Sequence, residues 1–398
     1  MKTIQRLVLA LSLLFATGFT HGAIIMVSPG QSVQAAVNAA SSGDQIILQS
    51  GSYNEDVVIN GKTLALRSFG VTSEVKTLSV VNSPGLFVAQ NLQFTDFNSS
   101  NTDLLIKRSI IGNNLTIIGG KVQVLQSSIY EKLTCKADTS FICYNTIRYA
   151  EIEGNSTITG NHFDGRSLKG IGIDLNGAQT KATIRNNRIH SYQMNSSADD
   201  SNVCIGIRVR GLAKASIINN VIYDCYDSDH RGTEDKVGMG IYVESTSGTT
   251  ILGNALWNCF VSSGTGSNPG NRLIWATPSG AIALNNLFWK EHGYQGTAHV
   301  GGGVVDRDSV DGDPKFVNLN GGDFTLQADS PAKNAGPADA QHNDRDGTRN
   351  DIGMFGGHSY IPDGKTTNKP IALGLDAAPI AVPVGGIITI QSTGATAK

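Results

Sequence analysis

The chain is predicted to be all-β, a right-handed parallel β-helix closed at its start by a helix, on three observations. A six-residue motif with Ser or Asn in fourth place recurs along the chain. A second strand pattern precedes the later copies at a nearly fixed interval. The spacers between copies lengthen at one point of the repeat only.

The first observation rests on eight segments: IKRSII (106–111), VLQSSI (124–129), ICYNTI (142–147), ITGNHF (158–163), IRNNRI (184–189), IINNVI (217–222), ILGNAL (251–256) and ALNNLF (283–288). Their fourth positions are Ser109, Ser127, Asn145, Asn161, Asn187, Asn220, Asn254 and Asn286. The second pattern is IGIDL (171–175), CIGIRV (204–209), MGIYV (239–243) and RLIWA (272–276). It fixes the order within a coil as strand, short turn, strand, Asn turn, strand, long loop. A constant local pattern with a variable spacer is the mark of a solenoid, and β-branched residues alternating with polar ones read as strands.

The Asn positions have a physical reason. Successive coils stack about 4.8 Å apart. An inward amide at the bend can bond to backbone and to the amides above and below, forming an asparagine ladder. Left unsatisfied, it would cost roughly 1–3 kcal/mol. Asn as a simple turn former is the plainer alternative.

The ends follow. A solenoid needs a cap over its open core, and Val33, Ala36, Val37 and Ala40 fall at helical spacing, so residues 31–41 form an amphipathic capping helix. Before it, Lys2 and Arg6 precede an apolar run from Leu7 to Ala16, with small residues at Thr20 and Gly22. That is a secretory signal cleaved after Gly22, too short to span a bilayer. The expected organisation is residues 1–22 signal peptide, 23–357 β-helix with caps, and 358–398 a low-charge linker and tail with one strand-like run, Gly386–Gln391. The expected location is secreted, periplasmic or cell-surface, with no transmembrane segment, and the chain is expected to act as a monomer. A net charge of −2 argues against nucleic acid as a partner.

The five cysteines, at 135, 143, 204, 225 and 259, lack paired metal-ligand spacing. Cys225 and Cys259 each lie five residues after their Asn, which stacks them in adjacent coils about 5 Å apart. A disulfide between them is expected, with stacked free thiols as the alternative.

The segment SVQAAVNAASSGDQIILQSGSYNEDVVINGKTLAL (32–66) resembles the opening of the pectate-lyase-like β-helix superfamily. DPKFVNLNGGDFTLQADSPAKNAG (313–336), with DRDG (344–347) and DIGMFGG (351–357), is similar to the C-terminal segment of bacterial choice-of-anchor surface β-helix proteins. The resemblance implies fold and export, and a sugar-binding cleft on the first sheet and its loops. The superfamily includes lyases, hydrolases, epimerases and non-enzymes, so the reaction is not implied.

Candidate chemistry comes from strand alternation. With Ile173 and Leu175 inward, the outward column is Asp174, Arg208, Tyr242 and Trp275, flanked by Asn176, Arg210 and Glu244. The expected partner is an acidic polysaccharide that the face binds, with lyase-like or hydrolase-like cleavage left open. Asp174, Arg208, Arg210 and Glu244 are the catalytic candidates, and Tyr242, Trp275, His230 and Arg231 the substrate-binding ones. Arg208 or Arg210 could hold a sugar carboxylate bidentately. Asp174 and Glu244, two coils apart, would stand about 9–10 Å from each other, at the edge of the range for inverting hydrolysis. Asp199, Asp200, Asp227 and Asp229 supply oxygens that could hold calcium. The alternative is a surface ion-pair ladder on a non-catalytic surface or adhesion solenoid. No complete hydrolase, epimerase or lyase signature is present.

A second column, Tyr130, Arg148, Asp164, His190, Tyr223, Trp257 and Trp289, lies three residues after each ladder position. It reads either as an exposed stacking track for sugar rings or as core covered by the inserted loops, the latter favoured.

Overall fold

A computed structural model describes residues 22–69, 72–194, 203–227, 237–246, 248–260, 272–289, 299–344, 346–358, 371–378 and 389–395. The strands from Ile24 to Asp311 form one continuous parallel sheet of 27 strands that winds into a β-helix. In the central coils each turn contributes three strands. Gly170–Leu175, Lys181–Arg185 and Arg188–Met194 make one coil, and Val203–Val209, Lys214–Ile218 and Val221–Asp227 stack in register on it. In the earlier coils the third strand runs straight into the first: Thr146–Thr159 pairs at one end with His162 and Phe163 and further on with Ile173–Leu175. The absence of an insertion there accounts for the short early spacing of the motif.

The inward positions are almost wholly aliphatic. Ile173, Leu175, Ile184, Ile189, Ile207, Ile217, Ile222, Ile241 and Ile251 are all fully buried. Mostly β-branched side chains stacked at the strand pitch fill this interior.

The turn before the third strand has a fixed construction. The residue preceding each ladder position is left-handed: Arg108, Gln126, Tyr144, Asn186, Asn219 and Asn285 have φ between 51° and 57°. Gly160 and Gly253 take the same place at φ 66° and 61°. This bend aims the next side chain inward. There, Asn145 N–H donates to Asn161 Oδ1 (2.9 Å), Asn161 to Asn187 (2.9 Å), Asn187 to Asn220 (3.0 Å), Asn220 to Asn254 (2.9 Å) and Asn254 to Asn286 (3.0 Å). Serines stand at both ends of this chain of bonds: Ser127 N–H donates to Asn145 Oδ1, and Asn286 N–H donates to Ser309 Oγ. Each amide nitrogen also donates to backbone, as Asn220 Nδ2 does to Ile184 O and Ile218 O. The inward amides from Asn145 to Asn286 are therefore satisfied.

A short helix, α1 (Val33–Ala39), precedes the second strand and buries Val33 and Val37. Glu55 receives its first N–H groups, Val33 and Gln34, while Lys62 Nζ donates to the carbonyls of Val37, Asn38 and Ala40 at its end. A carboxylate at the N-terminus and an ammonium at the C-terminus complement the helix dipole. No helix among the described residues is long and apolar enough to cross a membrane.

Two expectations are corrected here. Cys225 and Cys259 do not form a disulfide; all five cysteines are free and buried. Their side chains leave successive parallel strands in the same direction, whereas a disulfide needs Cβ atoms about 3.5–4.5 Å apart, closer than the coil pitch. Instead the Cys225 thiol donates to Tyr223 O at 3.5 Å and the Cys259 thiol to Trp257 O at 3.2 Å. In the tail, two strands, Ile371–Ala378 and Thr389–Ala395, pair antiparallel in a sheet of their own, where a single strand was expected.

Candidate functional site on the first-sheet face

The outward column of the first strand is in register. Asp174 is opposite Arg208, Arg208 opposite Tyr242, and Tyr242 opposite Trp275. Sequence reasoning missed its start: Glu151 stands opposite Asp174 one coil earlier. It was hidden because the Thr146–Thr159 strand lacks the Gly-Ile pattern used to place the others.

Asp174 is held by two guanidinium groups. Arg208 donates Nε to Oδ1 (3.1 Å) and Nη2 to Oδ2 (2.7 Å), and Arg210 repeats the arrangement at 3.0 and 2.9 Å. The residue is only 9% exposed, shielded by the groups that neutralise its carboxylate. Glu244 lies 3.9 Å from Arg208 Nε. Burial pulls the Arg208 pKa down, but the hydrogen bonds to Asp174 and the nearby Glu244 outweigh it and raise it. Desolvation, with the Glu244 charge beside it, raises Tyr242. The Trp275 ring is half-buried against the next coil, where an added Cβ at Gly301 would come within 2.5 Å of it.

Beside Asp174, toward the N-terminal coils, lies a cleft of about 420 Å³ lined by Lys132, Tyr149, Glu151, Lys169, Asp174 and Val203. Lys132 pairs with Glu151 at 2.7 Å, and Lys136 bridges Glu151 (3.2 Å) and Glu153 (2.8 Å). The Lys132 hydrogen bond holds the Glu151 carboxyl below its ordinary value, against the opposing effect of burial. The Tyr149 hydroxyl donates to Lys169 O at 2.9 Å, and burial raises its pKa.

Of the loop candidates, Asp199, Asp200, Asp229, His230 and Arg231 lie outside the described residues. Asp227 is fully buried, its N–H bonded to Phe260 O.

The central rings of the column, His190, Tyr223 and Trp257, are buried, and the loops inserted after them lie outside the described residues. His190, Tyr223 and Trp257 stack with centroids 4.8 and 4.5 Å apart and planes within 8°. Among the described residues the cover is the C-terminal segment: Phe324 meets Tyr223 at 5.8 Å, Phe316 meets Trp257 at 5.6 Å, and Ile352 completes the cluster. Asn186 and Asn219 bond this segment to the Asn turns through Met354 O, Gly356 O and Asp351 O. Its apolar residues are separated by Gly and Asp turns, so no strand or helix period announced them.

Just beyond that cover, His162, Asp164 and His190 converge, with ligand atoms all within 4.8 Å of one another. His162 went unnoticed because it falls immediately after its ladder Asn rather than in the ring column.

No family model matches the chain, and no curated protein matches it. Among solved structures it is similar to pectate lyase Pel9A, at 15% identity and a TM-score of 0.47 over 85% of this chain and 98% of that one. It is also similar to the PL6 family alginate lyase AlyGC (13% identity, TM-score 0.43, covering 85% and 59%). A third is the PL6 family polysaccharide lyase Pedsa3628 from Pseudopedobacter saltans (12% identity, TM-score 0.37, covering 78% and 98%).

Proposed function

We propose that the chain binds an acidic polysaccharide along the first-sheet face, seated in the cleft beside Asp174. The observation that carries this reading is the cleft itself, a concavity on the sheet face that joins the Tyr149 side chain to Lys132 and Lys169. An aromatic ring offers a sugar ring a stacking surface, and ammonium groups offer its carboxylate a counter-charge. Arg208 and Arg210 use their Nε–Nη2 edges on Asp174, so they act in this reading as a rigid wall that presents the remaining Nη1 edge to the ligand. Asp174, with both oxygens engaged, is a positioning residue. Proton transfer in a lyase-like or hydrolase-like reaction falls to Glu244, one coil beyond Arg208.

Export through residues 1–22 and action as a single chain belong to the same proposal. So does a calcium ion held at Asp199, Asp200, Asp227 and Asp229, whose oxygens suit that ion.

The double clamp on Asp174 favours a second reading, a structural ion-pair ladder on a solenoid that binds no glycan. Calorimetric titration of the purified protein with polygalacturonate, alginate and a glycosaminoglycan separates the two. Saturable binding that weakens with added salt and with Lys132→Ala is expected. No saturable binding to any of the three leaves the structural reading. Release of unsaturated uronate marks a lyase, and new reducing ends without unsaturation mark a hydrolase.

A further inference from the structure

We propose that His162, Asp164 and His190 form a binding site for one divalent transition-metal ion of the zinc class. The site lies on the outer face of the third strand, away from the first-sheet cleft, and does not depend on the polysaccharide reading.

The coil stacking brings the three residues together. Asp164 is in register with His190, and His162 is in register with Arg188, so the two imidazoles meet on the diagonal. Their Nε2 atoms are 2.7 Å apart and their rings are stacked, with centroids at 4.9 Å and planes within 20°. Two donors held tetrahedrally on one zinc, each about 2.0–2.1 Å from it, stand about 3.3 Å apart. An opening of about 0.6 Å, within the reach of small χ changes, turns the existing contact into a chelate.

The donors are pre-aimed. His190 is 8% exposed, and its Nδ1 is bonded to Ser191 Oγ at 2.6 Å. With the proton on Nδ1, that bond leaves the Nε2 lone pair for a metal, the usual outer-shell support of a histidine ligand. Ser191 reaches this position through a left-handed backbone, φ 62°. On the adjoining coil Arg166 and Ser167 are also left-handed, φ 53° and 57°, where the pairing register shifts after Asp164. Asp164 Oδ1 accepts from the Arg166 N–H at 2.8 Å, which fixes the carboxylate beside the imidazoles.

Charge and protons balance. With His190 protonated on Nδ1, the proton between the two Nε2 atoms belongs to His162 and moves to Nδ1 of that ring when the ion binds. The ion therefore replaces one hydrogen bond without expelling a net proton. Arg188 is drawn away toward the C-terminal cover, donating Nε to the Tyr223 hydroxyl at 2.9 Å and lying 4.8 Å from the Phe324 ring. His162 and Asp164 are only half-buried, so the fourth coordination position faces solvent. Two imidazoles, one carboxylate and an open position suit zinc rather than calcium, which takes six to eight oxygens.

The test uses untagged, full-length protein stripped with a chelator. Titration with Zn2+ in a calorimeter should show saturable binding of about one ion per chain. Co2+ should give the visible d–d bands of a low-coordinate nitrogen and oxygen site, displaced by Zn2+ and not by Ca2+. His162→Gln and Asp164→Asn should each weaken Zn2+ binding by about tenfold or more while leaving the melting temperature of the metal-free protein in place. His190→Gln should do the same; because that ring is buried, circular dichroism accompanies it, and the two half-buried variants decide the matter. Absence of saturable Zn2+ binding overturns the proposal, as does binding unaltered in both His162→Gln and Asp164→Asn.

Discussion

Arg208 meets Asp174 edge to edge, Nε on Oδ1 at 3.1 Å and Nη2 on Oδ2 at 2.7 Å, across the gap between two successive coils. The Arg208 and Asp174 side chains are only 21% and 12% exposed, so this pair sits between a surface bridge and a buried one. Asp174→Ala leaves two guanidinium groups without their partner and should cost about 1–3 kcal/mol of stability. Arg208→Lys keeps the charge and loses the fork, so a smaller loss is expected. Chemical denaturation checks both, and equal stability of Asp174→Ala and wild type would make the clamp ornamental.

The turn amides should matter more than any surface residue. Asn220 Oδ1 accepts from the N–H and the side-chain nitrogen of Asn187, and Asn220 Nδ2 donates to Asn254 Oδ1. Asn220→Leu strands several buried donors and acceptors at once. A loss of roughly 3–5 kcal/mol is expected, read from urea unfolding.

Removal of the Trp257 ring should release the C-terminal cover. Trp257 is 1% exposed and packs against Tyr223, Trp289 and Phe316. Trp257→Ala should cost about 3–5 kcal/mol and make residues around 313–355 the first site of limited proteolysis. Cleavage elsewhere at the wild-type rate would separate the cover from the ring.

The thiols should be silent until the chain unfolds. Burial pushes Cys135 up to about 11 and Cys204 up to about 12, and it raises Cys225 as well, the neighbouring Cys259 side chain adding to that shift. At neutral pH an alkylating reagent should label none of them in the native protein and all of them in urea. A disulfide-linked peptide joining Cys225 and Cys259 in a non-reducing map would reinstate the bond.

Stability should fall as pH rises from about 4 to 6 through Asp344. Burial raises its pKa from 3.8 to about 6, with Asp351 and Asp346 adding to the shift and the N–H groups of Gly357 and Asp351 opposing it. Between those values the native state holds a proton that the unfolded chain has lost, so the contribution is present in acid and disappears above the folded value. Asp351, itself raised by burial, works in the same direction. Asp344→Asn should flatten the melting temperature against pH over this window, and an unchanged slope would exclude Asp344 as its source.

The coil was legible because its side chains answer to two strict demands. The inward positions must be apolar, and the residue after a left-handed turn must carry an oxygen or an amide. Those demands placed Asn145 through Asn286 and, by alternation, the register of Asp174, Arg208, Tyr242 and Trp275. What could not be read was lateral. Nothing in the alternation says that Arg210 reaches across to the same carboxylate as Arg208. Phe316 and Phe324 lie dozens of residues from the rings they cover, in a segment without period. His162 and His190 meet on a diagonal, which a column drawn at constant offset cannot show.

The C-terminal cover also alters how the solenoid comes apart. In a linear array each coil touches only its neighbours, and fraying proceeds one repeat at a time from either end. The segment carrying Phe316, Phe324 and Ile352 touches Arg188, Tyr223, Trp257 and Leu287, which belong to four successive coils. Those coils must open together or the segment must detach first. Amide exchange should therefore be graded along the N-terminal half and collective in the C-terminal half, a single cooperative block locked across the direction of the stack.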